Sequence, residues 1–129
     1  MNETRKTILC VDDDELELKA RKGIFEAAGF RVLEARSKDA ALSIFQSSLV
    51  DVVVLDYWLS GLSGGNGTAV AEEIKRRSAK TPILMLSGYG FLPGEAAIVD
   101  SWLIKSTVGP EDLIREVERL IEQRRQNKA

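Results

Sequence analysis

The stretch that decides the fold is VDVVVLDYW, residues 50–58, in which three valines and a leucine lead directly into Asp56. An unbroken run of β-branched residues is typical of a strand buried on both faces, as strands are inside a parallel sheet. Asp56 then stands at the carboxyl end of that strand. In open α/β sheets this edge is where ligands bind and chemistry takes place. The stretch therefore predicts a parallel sheet and a candidate reactive acid.

Four further apolar segments predict strands, and helical segments lie between them. Short apolar runs bounded by turn residues are typical of buried strands, and apolar residues at helical spacing indicate helices. The additional strands are expected at residues 7–11, 31–35, 82–86 and 102–104. Five helices are expected between and after these strands. The first has Leu18, Ile24, Phe25 and Ala28 on one side, and the second begins after an N-cap at Ser37. The others are expected over 68–78, over 95–100 and from Pro110 onward. This alternation predicts a three-layer α/β fold, (βα)5, with a five-stranded parallel sheet and right-handed crossovers.

The size and charge of the chain limit the classes of partner. Its 129 residues suit one domain, 1–129, with residues 1–6 and 123–129 expected to fray. A net charge of −2 gives no electrostatic reason to expect nucleic acid or an anionic membrane as a partner. No apolar run approaches the ~20 residues of a membrane span, and the start lacks the apolar core of a signal peptide. We therefore expect a cytoplasmic protein that binds neither nucleic acid nor membrane.

The chain contains one cysteine and no histidine, which limits its chemistry. Cys10 cannot form an internal disulfide, and within its apolar run we expect a buried thiol that packs as a small hydrophobic group. The absence of histidine from the sequence excludes an imidazole general base, an imidazole metal ligand and a phosphohistidine. A metal site in this chain would therefore have to use oxygen ligands.

Four of the five predicted strands end in a reactive side chain. These are Asp12 and Asp13 after the first strand, Asp56 after the third, Ser87 after the fourth and Lys105 after the fifth. In a parallel sheet these ends share one rim. Each residue also has a simpler interpretation: the acids as helix or strand caps, the serine as a turn residue, the lysine as a solvated side chain. Their joint placement favours a single site.

Three carboxylates at one rim need a proton, a cationic side chain or a metal ion. Two carboxylates about 4 Å apart repel each other by ~4 kcal/mol at an effective dielectric constant of ~20. Oxygen ligands favour a hard cation, and Mg²⁺ suits one or two carboxylates together with phosphate oxygens. An aspartate beside Mg²⁺, a hydroxyl and a lysine is what phosphoryl transfer to a carboxylate requires, with the acid as nucleophile.

Four segments together resemble the receiver domain of bacterial two-component response regulators. They are ILCVDDD (8–14), VVVLD (52–56), LMLSG (84–88) and WLIK (102–105), and the similarity covers nearly the whole chain. The resemblance implies the flavodoxin-like strand order 2-1-3-4-5 and identifies Asp56 as the phosphoacceptor. It also implies Mg²⁺ bound by the side chains of Asp13 and Asp56 and by the backbone carbonyl of Trp58. Asp12 is expected to bind the ion mainly through water.

The same resemblance assigns a switch to three further residues. Ser87 matches the hydroxyl that moves to the phosphoryl group, and Lys105 matches the lysine that pairs with that group. Trp102 stands at the position of the switch aromatic, usually Tyr or Phe, whose inward turn is coupled to the hydroxyl. The surface built by the fourth helix, the fifth strand and the last helix is then expected to rearrange and to control a partner.

Three features depart from the usual pattern of this family. Ser106 follows Lys105, where a proline with a cis peptide bond is usual, and a cis bond to serine costs ~3 kcal/mol. Either that strain is tolerated or the turn differs. The glycine-rich segment after Leu59 is longer than usual, and the predicted fourth helix is short. These departures predict an atypical output surface.

The leading hypothesis is a stand-alone receiver in a phosphorelay. A sensor histidine kinase or a phosphotransfer protein would donate a phosphoryl group to Asp56, and an unidentified downstream protein would respond to the switch. One alternative is an interaction module that has lost phosphorylation, and a lower-ranked one is a Mg²⁺-dependent phosphatase with Asp56 as nucleophile. A phosphatase of this type usually carries a second acid two residues later, where this chain has Trp58. We therefore expect no enzyme activity beyond slow self-dephosphorylation.

Overall fold

A five-stranded parallel sheet forms the centre of the protein in the computed structural model, which describes residues 5–58, 67–88 and 97–127. Its strands are β1 (Thr7–Val11), β2 (Arg31–Ala35), β3 (Val52–Asp56), β4 (Ile83–Ser87) and β5 (Ser101–Ile104). They pair in the order β2-β1-β3-β4-β5, and every pairing is parallel. The predicted flavodoxin-like sheet and its strand order are confirmed.

Four α-helices accompany the sheet within the described residues. They are α1 (Glu15–Ala27), α2 (Lys38–Ser47), α3 (Gly67–Arg77) and α4 (Pro110–Asn127). The predicted helix over 95–100 is not α-helical where the structure describes it, because residues 97–98 form a 3-10 segment and residues 99–100 form a bend. Its first two residues lie outside the described ranges. No helix in the described part of the chain is both long and apolar enough to cross a membrane.

The end of α4 is helical, although the sequence predicts that the chain frays after residue 122. The helix continues to Asn127, and Nη1 of Arg124 lies 3.4 Å from the carbonyl oxygens of Val50 and Asp51. These contacts join the last turns of the helix to the segment that enters β3. Fraying of residues 123–127 in solution stays a prediction.

The core consists of two apolar layers, one on each face of the sheet. Strands β1, β3 and β4 are buried along their whole length, as their continuous apolar runs predict. One layer packs against Leu18 and Phe25 of α1 and Val117 of α4. The other packs against α2 and α3, with Ile74 of α3 fully buried. Helices therefore cover both faces, and because all pairings are parallel, the carboxyl ends of the strands lie together at one rim.

Helix α1 begins and ends where its local sequence predicts. Asp14 is the N-cap, since its side chain accepts hydrogen bonds from the backbone N–H groups of Leu16 and Glu17. The helix ends before Gly29, whose φ of 98° lies in the left-handed region that favours glycine. The predicted inward stripe needs one correction. Ala28 is exposed, and the buried residues of α1 are Leu18, Arg21 and Phe25.

The turn after β5 differs from the proline-containing pattern. Lys105–Thr107 forms one turn of 3-10 helix. All described peptide bonds are trans, including the bond from Lys105 to Ser106. A peptide bond before serine favours the trans form much more strongly than a bond before proline does, so the chain adopts the ordinary trans geometry here. The sequence left two possibilities, a strained cis bond or a different turn. The structure has the different turn.

Candidate functional site

Three acidic side chains meet at the carboxyl ends of β1 and β3. One oxygen each of Asp12, Asp13 and Asp56 lies within 4.8 Å of the others. Asp12 and Asp56 are almost fully buried, at 1% and 5% exposure. Helix capping does not explain the cluster, because Asp14 alone provides the side-chain cap of α1 and Asp12 Oδ1 instead accepts from the Asp14 N–H. The oxygen-only donor set suits a hard divalent cation such as Mg²⁺.

Two cationic side chains lie among these acids. Nζ of Lys105 is 2.6 Å from Oδ1 of Asp56 and 3.9 Å from Oδ2 of Asp12. It also contacts Oε1 of Glu17 at 2.7 Å. The Arg21 guanidinium, itself buried, donates from Nη1 to Asp12 Oδ2 at 2.8 Å and from Nη2 to Glu17 Oε1 at 2.9 Å. The simpler interpretation of Lys105 as a solvated surface lysine is therefore wrong.

The formal charges of this cluster leave room for a divalent cation. Four carboxylates, those of Asp12, Asp13, Asp56 and Glu17, lie in this cluster, and Lys105 and Arg21 form ion pairs with Asp12, Asp56 and Glu17. With every carboxylate ionised, these six side chains together carry a net charge of −2. Because two of the carboxylates are buried, this excess charge is costly unless a proton or a metal ion compensates it. Mg²⁺ therefore fits the residues of the site in charge as well as in donor type.

Burial and neighbouring charges shift the pKa values of the carboxylates and of Lys105 in opposite directions. Burial raises the pKa of Asp56 from 3.8 to about 6, although Lys105 opposes the shift, and burial also raises the pKa of Asp12. The hydrogen bond from Lys105 lowers the pKa of the more exposed Glu17. Burial alone would lower the pKa of Lys105, but its ion pairs with Asp56 and Glu17 outweigh burial and raise it. At neutral pH Asp56 is therefore a carboxylate held in the fold at a cost.

The backbone that carries Asp56 is packed against the first residue of α3. The N–H of Gly67 donates to the carbonyl oxygen of Tyr57 at 2.6 Å. A Cβ atom at position 67 would overlap the carbonyl oxygen of Asp56 and lie 3.1 Å from Cα of Tyr57. Glycine is required here by close backbone approach. The start of α3 therefore fixes the path of the chain immediately after Asp56.

The remaining predicted site residues lie near the same rim. Ser87 is buried at the end of β4, one residue beyond Leu86, which pairs in register with Asp56. Trp58 follows β3, and 60% of its surface is exposed. The Trp102 ring packs on the Tyr57 ring at a centroid distance of 5.5 Å. The Trp102 indole N–H is buried and finds no acceptor within the ranges that the structure describes.

Three residues of the site were missed by the sequence analysis: Glu17, Arg21 and Tyr57. Arg21 and Glu17 leave a trace in the sequence, because Arg21 interrupts the apolar stripe of α1 and Glu17 lies four residues before it. A charged residue inside an apolar stripe, with an acid one turn away, indicates a buried ion pair. Tyr57 gives no comparable signal.

The buried thiol prediction is confirmed, since Cys10 is fully buried and burial raises its pKa to about 12.

Comparison with known families agrees with this geometry. The sequence model of the response regulator receiver domain matches residues 8–100. The chain belongs to the response regulator receiver domain family. The matched range includes Asp12, Asp13, Asp56 and Ser87 but ends before β5. The place of Lys105 in this receiver domain therefore rests on the sheet topology and on its ion pair with Asp56.

Several relatives are similar to this receiver domain, two of them over half of their own length or less. The probable transcriptional regulator ycf27 of Guillardia theta is 30% identical, and the alignment covers 98% of this chain and 49% of that protein. The nitrogen assimilation regulatory protein NtrX of Azorhizobium caulinodans is 33% identical, with 71% of this chain and 20% of that protein covered. The response regulator TrrA of Thermotoga maritima, solved in complex with Mg²⁺-BeF, is 27% identical with a TM-score of 0.80, covering 89% of this chain and 98% of that chain. The receiver domain thus spans about half the length of ycf27 and about a fifth of the length of NtrX.

Proposed function

We propose that this receiver domain accepts a phosphoryl group on Asp56 from a phosphohistidine of a sensor histidine kinase or a phosphotransfer protein. The observation that carries the proposal is the buried Asp56 carboxylate, with Lys105 Nζ at 2.6 Å and two further carboxylates close by. A buried acid with both a lysine and an oxygen-only cation site can serve as a nucleophile toward phosphorus. A structural acid needs neither.

The transfer step follows from these groups. A carboxylate oxygen of Asp56 attacks the phosphorus of the phosphohistidine and forms an acyl phosphate. The P–N bond breaks, its electron pair stays on the imidazole nitrogen of the donor, and that nitrogen takes up a proton. Lys105 stabilises the negative charge on the transferring oxygens and keeps Asp56 ionised before attack. Later attack by water on phosphorus returns inorganic phosphate and the free carboxylate.

Mg²⁺ is the metal ion that we propose for the site. The side chains of Asp13 and Asp56 and the backbone carbonyl of Trp58 would bind it directly, and Asp12 mainly through water. When bound, the ion supplies positive charge that compensates the phosphoryl oxygens. The oxygen-only donors of the cluster support this assignment, as does the excess of its carboxylates over Lys105 and Arg21, the cations paired with them. The relative TrrA, solved with Mg²⁺-BeF, supports it independently.

We further propose that Ser87, Lys105 and Trp102 convert phosphorylation into a change of surface. New charge on Asp56 attracts the Ser87 hydroxyl and the Lys105 ammonium, and Trp102 follows. Trp102 and Tyr57 are in ring contact, so movement of one displaces the other. The surface around β5, α4 and the segment before β5 would then engage a downstream protein. That this domain acts in the cytoplasm stays a prediction. That it binds neither nucleic acid nor membrane also stays a prediction.

The two alternatives have less support. The departures at Ser106 and in the glycine-rich segment after Leu59 favour an interaction module that has lost phosphorylation, yet Lys105 still reaches Asp56 from the trans turn. A phosphatase of this type usually carries an acid two residues after its nucleophile, where this chain has the exposed Trp58. Both alternatives are therefore ranked below the phosphoacceptor.

Intact-mass measurement after incubation with Mg²⁺ and a small-molecule donor tests the proposal. Acetyl phosphate and phosphoramidate are used separately, with Asp56→Asn as the matched control. We expect the wild type to gain the mass of one phosphoryl group and the variant to gain none. The adduct should be lost in mild base, as acyl phosphates are. A wild type that stays unmodified with both donors and with a histidine kinase, or an adduct that persists in Asp56→Asn, would contradict the proposal.

A magnesium titration and a turnover assay separate the alternatives. The fluorescence of Trp58, two residues from Asp56, should change on addition of Mg²⁺ in the wild type. A flat titration would favour the interaction module. Multiple turnovers with generic phosphate esters would favour the phosphatase, whereas a single stoichiometric transfer is expected of the phosphoacceptor.

A further inference from the structure

A buried arginine in α1, Arg21, belongs to this site. Arg21 is 7% exposed and lies between Leu18 and Phe25 on the face of the helix that packs against the sheet. Its guanidinium is neutralised by two acids, Asp12 at 2.8 Å and Glu17 at 2.9 Å. Because an unpaired charge at such a position is strongly unfavourable, the position of Arg21 and the positions of these two acids depend on one another.

Glu17 links this buried arginine to the lysine above Asp56. Its Oε1 atom accepts from Arg21 Nη2 at 2.9 Å and from Lys105 Nζ at 2.7 Å. Lys105 in turn contacts Asp56 Oδ1 at 2.6 Å. A continuous chain of charged contacts therefore runs from Arg21 through Glu17 and Lys105 to Asp56. Since Arg21 and Glu17 carry opposite charges, the pair adds no net charge to the site.

The turn that carries Lys105 explains why a second anchor is useful. The lysine begins a single 3-10 turn with trans peptide bonds, and the two residues after it, Ser106 and Thr107, are exposed. A lysine side chain has a flexible four-carbon stem and loses considerable rotamer entropy when it is held in one place. A carboxylate that is itself fixed by a buried guanidinium can hold the ammonium beside Asp56. Glu17 occupies that position.

We propose that Glu17, oriented by Arg21, is a positioning residue that holds Lys105 at Asp56 for phosphoryl transfer. The kinetic consequence rests on the function proposed above, whereas the restraint on Lys105 does not. Arg21 is a less suitable probe, because its removal also deprives the buried Asp12 of its nearest cation and hydrogen-bond donor. Glu17 is part-exposed, with 41% of its side chain accessible, so a change there tests the link without unfolding the protein.

The kinetic test compares Glu17→Gln with Glu15→Gln. Both residues lie in the first turn of α1 and both variants lose one negative charge, but the ion pairs of Glu15 are surface contacts at 3.8 Å. We expect Glu17→Gln to slow phosphorylation by acetyl phosphate about threefold to tenfold, the effect of losing one part-exposed ion pair at the transition state. Glu15→Gln should stay within about twofold of the wild type.

A double-mutant cycle identifies the route of the effect. If Glu17 acts through the lysine, Glu17→Gln causes no further slowing once Lys105→Met is present. If it acts on the metal ion or on the fold, the same slowing persists in that background. Persistence of the full effect, or a Glu17→Gln rate equal to that of the wild type, would overturn the proposal.

The ammonium group of Lys105 gives a readout that needs no phosphorylation. In a ¹⁵N-detected or ¹⁵N-edited spectrum of the apo wild type, the ammonium signal that is absent in Lys105→Arg is assigned to Lys105. We expect slow proton exchange in the wild type and in Glu15→Gln, and fast exchange with loss of the signal in Glu17→Gln. A signal unchanged in Glu17→Gln would overturn the proposal. A wild type that takes up no phosphoryl group would refute the proposed function, and this signal would still decide the role of Glu17.

Discussion

Replacing the buried Asp56 by its neutral isostere asparagine should stabilise the protein in the absence of metal. Asp56 is 5% exposed, and burial raises its pKa from 3.8 to about 6 despite the contact with Lys105. At neutral pH the carboxylate is ionised in both the folded and the unfolded chain, but less favourably in the folded one. Asp56→Asn removes that charge at nearly constant volume. Lys105 keeps Glu17 as an ion-pair partner at 2.7 Å.

The size of the effect follows from the difference in pKa. A rise of about 2 in the pKa of Asp56 corresponds to about 3 kcal/mol of folding free energy at pH values above the folded pKa. The variant loses the ion pair with Lys105, although the asparagine carbonyl still accepts a hydrogen bond from it. We therefore expect a net gain of about 1–3 kcal/mol in the free energy of unfolding at neutral pH.

The pH dependence of the gain has a definite sign. Below the unfolded pKa of 3.8 Asp56 is protonated in both states, so wild type and variant should differ little. Between about pH 4 and pH 6 the folded wild type binds more protons than the unfolded chain, so its stability falls as the pH rises. The gain of Asp56→Asn should therefore grow across this window and stay constant above it. Because the proposed Mg²⁺ site includes Asp56, Mg²⁺ should bind the folded wild type more tightly than the variant and so reduce the gain.

Urea unfolding followed by circular dichroism, with chelator present, measures these differences at several pH values. Glu26→Gln makes the same chemical change at an exposed position of α1 and should alter the stability by less than about 0.5 kcal/mol. Three results would refute the reasoning: a loss of stability in Asp56→Asn at neutral pH, a gain that does not depend on pH, or a gain that increases with Mg²⁺.

Three further predictions follow from neighbouring features of the site. Gly67→Ala should destabilise the protein by about 2–4 kcal/mol in urea unfolding and weaken Mg²⁺ binding, because its Cβ overlaps the Asp56 carbonyl. Gly23→Ala, with open space at its Cβ, should gain about 0.5–1 kcal/mol, and equal effects at the two glycines would contradict this account. The phosphorylation rate at low Mg²⁺ should rise with pH through about 6 and then level off, because only the ionised Asp56 attacks; a rate that is flat from pH 5 to 8 would argue against a carboxylate with this pKa. Trp102→Phe should change the free energy of unfolding by less than about 1 kcal/mol. The variant loses part of the ring contact with Tyr57, but it also removes a buried N–H that has no acceptor in the described part of the chain. A loss above about 2 kcal/mol would show that the indole N–H does have a hydrogen-bond acceptor.

The sheet could be predicted from sequence because its strands are continuous apolar runs with distinctive ends. Residues 52–55 and 83–86 are buried along their length, as uninterrupted β-branched and aliphatic residues require when helices cover both faces. Parallel pairing then brings all carboxyl ends to one rim. Asp12, Asp13 and Asp56 could be grouped for this reason alone, without any knowledge of their distances.

The contacts of Lys105 could not be predicted in the same way. Its partner Glu17 is 88 residues away in sequence, and nothing in either local pattern connects them. The trans turn after β5 was one of two possibilities, because the sequence shows that proline is missing but not which geometry replaces it. The inward stripe of α1 was assigned by hydrophobicity, which places Ala28 inside and leaves Arg21 out. Burial of Arg21 needs Asp12, which follows β1, in addition to Glu17 one turn earlier in α1, and the pairing with Asp12 is a tertiary effect.

The hydrogen bond between Gly67 and Tyr57 bears on how this protein can change over evolution. Its 2.6 Å length joins the chain just after β3 to the start of α3, so the segment between them departs from and returns to neighbouring points. The free-energy cost of closing a segment grows only slowly with its length. We therefore expect insertions or deletions between Trp58 and Gly67 to leave the position of Asp56 unchanged.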